Sequence, residues 1–299
     1  MALIERQQQF LGQQLTLVSD DQLTDPFSRW LRRPGWKPED HTIVAALLTS
    51  DEDLVIDLGA NYGTFFLPVC LHSGARCIAV EALRANIDVL DHALDVNNMR
   101  ERATLVHAAV TGQRGKVQIS GSSAYGTVGD NGEFVNAITL NDLASDFDLS
   151  ALTLVKMDIE GCEMEALQAA DYFFDTNPNV NFLFEANAAH SLNKNHLPQA
   201  LLEFFERRGY QIYLIRNGRC VRRTSSDFQE AGVSDYLATK TPLDPSLLHG
   251  FDFTEFSDDE IFEKALFSMT EMKTGYRKSA KQQMHLAPEW LTSRLASHL

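Results

Sequence analysis

LVIDLGANYG, residues 54–63, is the stretch from which the rest of the chain can be read. Its apolar start has the length and composition of a strand buried on both faces. Asp57 then closes the run, and Gly59 and Gly63 follow four residues apart. Glycine lets a backbone turn tightly and approach another group closely, with no Cβ in the way. A buried strand that runs into an acid and a glycine loop predicts a polar site at the strand's end.

The same texture recurs down the chain. CIAVE (77–81), ATLVH (103–107), LTLVK (152–156), VNFLFE (180–185), YQIYLI (210–215) and SDYLAT (234–239) read as further strands. Helical stretches separate most of them. One spans Arg84 to Asn98 with apolar residues at 87, 90 and 94 on one face. Another runs from about Pro198 to Arg208, with proline in its first turn and Gly209 beyond its last. Strands alternating with helices imply right-handed crossovers and a parallel sheet. The expected fold is α/β, a doubly wound, seven-stranded, Rossmann-like sheet over residues 51–240. KVQIS and FVNAITL flank the glycine-rich GSSAYGTVGDNG, which predicts a flap at 116–138. Residues 1–50 read as a helical N-terminal extension and 241–299 as a helical C-terminal appendage.

Composition narrows the function classes. The chain has 299 residues, 44% hydrophobic and 22% charged, enough for a substantial core. Its net charge is -15, from 41 acidic and 26 basic residues. Such a surface repels phosphate backbones and anionic lipid, so neither nucleic acid nor membrane is an expected partner. Cys70, Cys77, Cys162 and Cys220 form no CxxC pair and read as reduced, buried thiols. With no signal-peptide pattern and no apolar run of spanning length, the expected location is the cytoplasm.

In open parallel sheets, ligands bind beyond the carboxyl ends of the strands. Those ends carry Asp57, Glu81, His107-Ala108, Lys156-Met157-Asp158-Ile159-Glu160 and Glu185-Ala186-Asn187. Glu81 is placed to accept hydrogen bonds from both hydroxyls of a ribose. Two nucleoside cofactors compete for such a site. A dinucleotide asks for G-x-G-x-x-G, so that helix-N-terminal amides can hold a pyrophosphate. Here Asn61 stands in place of the middle glycine. Asp57 suits a cation instead, such as the amino group or sulfonium of S-adenosylmethionine. That cofactor is favoured, with an NAD-linked oxidoreductase as the alternative.

VIDLGANYGTF, AVEALRANIDVL, AITLNDL, LVKMDIEGCEMEAL and FLFEAN, in this order, resemble the FkbM-type S-adenosylmethionine-dependent methyltransferases. The resemblance covers about residues 53–240, and K-x-D-I-E-G-x-E after the fourth strand is its specific part. It implies a class I methyltransferase fold and methyl transfer to a hydroxyl of a carbohydrate or secondary metabolite. Asp57, Gly59, Asn61, Gly63, Glu81, Ala108 and Asp158 then become the cofactor-binding candidates. Two departures stand out: Ala82 replaces the proline usual after the strand-two glutamate, and Asn141 replaces an aspartate.

Methyl transfer to oxygen needs the acceptor at attack distance and a group to take its proton. Asp158 and Glu160 are the leading candidates for that base, with His190 behind them. A purely structural or cofactor-orienting role for Asp158 is the competing reading. Asp158, Glu185 and His190 together are candidates for a divalent metal site, although no metal pattern is evident. Glu163 and Glu165 read as charges at a helix start or on the surface. Lys273, Arg277, Lys278 and Lys281 read as a solvated helix face, with homo-oligomerisation through the C-terminal helices as the alternative. A catalytically degenerate binding subunit is the remaining non-enzyme reading. The expected partner is a small-molecule or glycan acceptor.

Overall fold

The computed structural model describes residues 3–20, 39–121, 126–129, 131–194, 196–227, 233–246, 248, 252–270, 278 and 281–298. The chain divides into two compact units, Met1–Phe182 and Leu183–Leu299.

The first unit opens with a hairpin, β1 (Leu3–Phe10) and β2 (Gln13–Asp20), paired antiparallel from Leu3↔Asp20 to Phe10↔Gln13. This corrects the expected helical extension. The glutamines are good helix formers, but Leu11 and Gly12 both take positive φ, 45° and 82°. Two consecutive positive-φ residues are what a two-residue hairpin turn requires. Leu15 and Leu17, two apart, are both buried, as one face of a strand demands. The side chain of Asn97 fastens the hairpin. It accepts from the Thr16 amide at 2.8 Å and donates to the Thr16 carbonyl at 2.8 Å. A helix does follow, α1 (Glu39–Ala45), with Ile43 and Val44 fully buried.

Then come β3 (Leu54–Leu58), α2 (Phe66–Ser73), β4 (Arg76–Glu81), α3 (Arg84–Val96) and β5 (Ala103–His107). Gly74, at φ 85°, ends α2 with its amide on the Cys70 carbonyl. Ile87, Leu90 and Leu94 of α3 are buried along one face. The predicted flap is a small sheet of its own: β6 (Ala109–Val110), β7 (Gly115–Ser120), β8 (Thr127–Gly129) and β9 (Glu133–Ile138), in the order β6-β9-β7-β8. Leu83, Ala109, Ile119 and Val135 form its buried cluster. Residues 122–125 and 130 of the glycine-rich segment lie outside the described residues.

Helix α4 (Leu140–Asp146) starts with a capping box between Thr139 and Asp142. β10 (Leu152–Met157), α5 (Glu163–Gln168) and α6 (Asp171–Thr176) follow. β10 pairs parallel with β3, β3 with β4, and β4 with β5.

β11 (Asn181–Asn187) leads into α7 (Ala188–Asn193), α8 (Gln199–Arg207), β12 (Gln211–Arg216), β13 (Arg219–Arg223) and β14 (Val233–Thr239). Within the second unit, β12 pairs antiparallel with both β13 and β14. The Asn217-Gly218 turn therefore joins β12 to β13, an edge strand missing from the sequence reading. Among the described residues the main sheet has eight strands where seven were expected. It is the large, mainly parallel sheet of a doubly wound α/β fold.

After β14 come α9 (Asp258–Thr270) and α10 (Glu289–Ala296), packed through Phe262, Ala265, Met269, Leu291 and Leu295. Besides these helices, the described part of the appendage holds non-helical chain at 241–246 and 253–257, and Asp252 bridges Arg219. Lys273 and Arg277 of the basic segment lie outside the described residues.

Candidate functional site

Asp57 is the most demanding residue of the first unit. It is wholly buried, and neither carboxylate oxygen has a partner within hydrogen-bond geometry among the described residues, although the Phe66 amide lies near enough to favour its ionised form. Burial pushes its pKa from 3.8 up to about 6; the charge of Lys156 opposes the rise and that of Asp158 adds to it. Lys156 is its register partner on β10, yet the ammonium donates to Asp158 Oδ2 at 2.7 Å. The result is a lysine between two acids at the ends of adjacent strands, one carboxylate bonded and one not.

The loop after Asp57 is built around its neighbours. The amides of Gly59 and Ala60 both donate to the Val80 carbonyl, at 2.9 and 3.0 Å. Asn61, in the left-handed region at φ 51°, donates its amide to Glu81 Oε2 at 2.8 Å. Leu83 donates its amide to Glu81 Oε1 at 2.7 Å. Glu81, 6% exposed, thus ties the glycine loop to the start of α3. Burial raises its pKa, and the amides of Leu83 and Asn61 oppose the rise. Ala108 is buried beside it, with its amide on the Glu81 carbonyl at 3.0 Å. On the far side of the loop, His41 of α1 places Nε2 2.7 Å from the Thr64 carbonyl.

The protein's own packing also calls for these glycines. A Cβ on Gly59, at φ 81°, would stand 1.9 Å from the Asp158 carbonyl oxygen. One on Gly63, at φ 75°, would meet Leu67 at 2.7 Å and Leu90 at 3.0 Å.

At the end of β10 the chain turns sharply. Glu160 takes φ 54° and Gly161 φ 101°. Asp158 and Glu160 are both half-buried. Glu163 is no surface charge, as had been expected. It is 6% exposed, and its Oε1 accepts from the amides of Ile159 at 3.0 Å and Gly161 at 3.2 Å. Burial pushes its pKa up to about 7, and the Asp158 charge adds to the rise. The helix-start reading caught its position but not its inward direction, which follows from the left-handed Glu160-Gly161 pair. Glu165 is exposed, as expected.

Asn141, where an aspartate had been expected, now has a physical account. Its Nδ2 donates to the Ala169 carbonyl at 2.8 Å, and its Oδ1 accepts from the Phe173 amide at 2.9 Å. An ionised aspartate accepts but cannot donate, so only the amide completes both bonds.

Glu185, Asn187, His190 and His196 belong to the second unit. There Asn187 donates to Glu185 Oε1 at 3.3 Å and accepts from the His190 amide at 3.2 Å, linking the strand end to the start of α7. Among the described residues no group of three or more His, Cys, Asp or Glu side chains is placed to hold a metal ion. No helix among the described residues is long and apolar enough to cross a membrane.

Solved structures with a similar path share little sequence. A Pyrococcus horikoshii transferase is 12% identical, with 78% of this chain and 70% of that chain covered and a TM-score of 0.43. The precorrin-6y C5,15-methyltransferase of Geobacter metallireducens is 14% identical, with coverages of 70% and 93% and a TM-score of 0.41. The O-methyltransferase of Bacillus cereus, solved with SAH, is 10% identical, with coverages of 71% and 84% and a TM-score of 0.41. Likenesses this slight bear on neither activity nor substrate. No curated protein sequence matches the chain. The FkbM methyltransferase domain, in contrast, matches residues 57–212, from the unpartnered aspartate into β12 and more than half of the chain. The chain belongs to the FkbM methyltransferase domain family.

Proposed function

We propose that the protein transfers a methyl group from S-adenosylmethionine to a hydroxyl of a carbohydrate or other small metabolite. The observation that carries this reading is Asp57. A buried carboxylate with no bonded partner is costly unless a cation completes it. The cofactor's ammonium and sulfonium are such cations, whereas a pyrophosphate would add to the repulsion. Glu81 supports the same reading. Each of its oxygens takes one loop amide, and a carboxylate has acceptor capacity beyond two bonds, enough for ribose hydroxyls.

When bound, the cofactor supplies a methyl group activated by positively charged sulfur. Asp57 would balance the cofactor's charge, Glu81 would orient its ribose, and the Asn61 turn would shape the loop beneath it. Ala108 would line the nucleoside side without offering an amide, since its N–H is engaged. At the neighbouring strand end, Lys156 holds Asp158 by Oδ2, which leaves Oδ1 to take the acceptor's proton. Glu160 is the second candidate for that proton. His190 is the third candidate base read from the sequence.

Calorimetric titration tests the cofactor. Both S-adenosylmethionine and S-adenosylhomocysteine should bind, and absence of binding at millimolar concentration would end the reading. Asp158→Ala tests the base. Affinity for S-adenosylhomocysteine should stay within about threefold, while turnover on a panel of glycans and hydroxylated metabolites falls by about 10²-fold or more. Equal loss of both would assign Asp158 a structural role.

A further inference from the structure

We infer that His41, contributed by the segment upstream of the family match, is a positioning residue for the cofactor loop. The inference rests on the cofactor reading above and deepens it. The loop from Gly59 to Thr64 is held on one side by Val80 and Glu81, through the amides of Gly59, Ala60 and Asn61. Gly63 donates its amide to the Ala60 carbonyl at 2.8 Å and accepts from the Leu67 amide at 3.1 Å, bonds local to the loop and the start of α2. The opposite side is held by the Thr64 carbonyl, which His41 Nε2 meets at 2.7 Å. A carbonyl can only accept, so Nε2 carries the hydrogen and the tautomer is fixed by the loop.

The ring is 7% exposed and is braced by two aromatic side chains. Phe65 meets it edge-on at 5.0 Å, and Phe10, from the end of β1, at 6.2 Å. Packing alone would be met by phenylalanine at this position. An imidazole adds the hydrogen bond to the loop. A residue outside residues 57–212 therefore completes the clamp on the loop that would seat the cofactor.

The test is titration of S-adenosylhomocysteine into the full chain and two variants. His41→Phe keeps the aromatic packing but loses the donor, and should weaken binding by about three- to tenfold, the scale of one hydrogen bond. His41→Gln restores an N–H donor and should recover most of that loss. Unchanged affinity in His41→Phe, or equal weakening in both variants, would overturn the inference. Hydrogen exchange on the wild-type chain gives a second measurement independent of variant folding. The ligand should slow exchange in residues 59–66 and in α1 together, and slowing of the loop alone would overturn it. A wild-type chain that does not bind S-adenosylhomocysteine sinks the cofactor reading itself, a result distinct from either of these.

Discussion

Burial pushes the Asp57 carboxyl from 3.8 up to about 6. A rise from 3.8 to about 6 corresponds to about 3 kcal/mol. The sign follows from which state holds the proton more tightly. Below pH 3.8 the group is protonated in both folded and unfolded chains, and it costs nothing. Between 3.8 and 6 the unfolded chain ionises first, so stability falls; above 6 the cost is complete. Asp57→Asn should therefore gain about 3 kcal/mol relative to wild type between pH 4 and pH 7 in urea denaturation, while its affinity for S-adenosylmethionine drops. A parallel pH response of the two proteins would remove the buried-charge account. Wild-type affinity should strengthen as pH rises through 6, because the cofactor's cation binds the ionised form. Glu163 has the same sign over a higher window, 4.5 to about 7. Glu163→Gln keeps an oxygen acceptor for the Ile159 and Gly161 amides but cannot ionise. It should match wild type near pH 4 and be more stable above pH 7, by about 3 kcal/mol at most. Thermal melts across that range would check it.

At the scale of elements, two glycines with similar φ should behave differently. Gly12 turns the hairpin at φ 82°, and a Cβ added there would meet nothing within 4 Å, so Gly12→Ala should cost about 1 kcal/mol of left-handed strain. Gly59→Ala meets the Asp158 carbonyl as well and should cost several times more, on the order of 4 kcal/mol. Denaturant midpoints of the two variants would show whether close approach or φ alone sets the penalty. The same contrast explains what was legible beforehand. β3, β4 and β10 announced themselves because strands buried on both faces are continuous apolar runs. The strand-end acids were visible because each interrupts or terminates such a run. The hairpin was hidden, since its glutamines favour helix and its signal is confined to the Leu11-Gly12 turn and the alternation of Leu15 with Leu17. The inward turn of Glu163 was hidden too, because it depends on the backbone at 160 and 161. His41 carries no local mark at all: its partner lies 23 residues along the chain.

Across the whole molecule, the net charge of -15 acts on a charged cofactor before any contact forms. S-adenosylmethionine carries one more positive charge than S-adenosylhomocysteine, so an acidic protein attracts substrate more than product. Raising ionic strength from about 0.05 M to about 0.5 M should weaken S-adenosylmethionine binding several-fold and leave S-adenosylhomocysteine nearly unaffected. Equal salt response for the two would show that the field of the whole chain plays no part. Matched titrations at two salt concentrations suffice. The contact between Gly59 and the Asp158 carbonyl also acts beyond its own neighbourhood. It packs the loop proposed to seat the cofactor against the strand end proposed to meet the acceptor. A chain built this way has little freedom to retune its chemistry for a new acceptor by adjusting that seam. Altered acceptor preference is better sought by diversifying the peripheral insertions, with the seam kept as inherited.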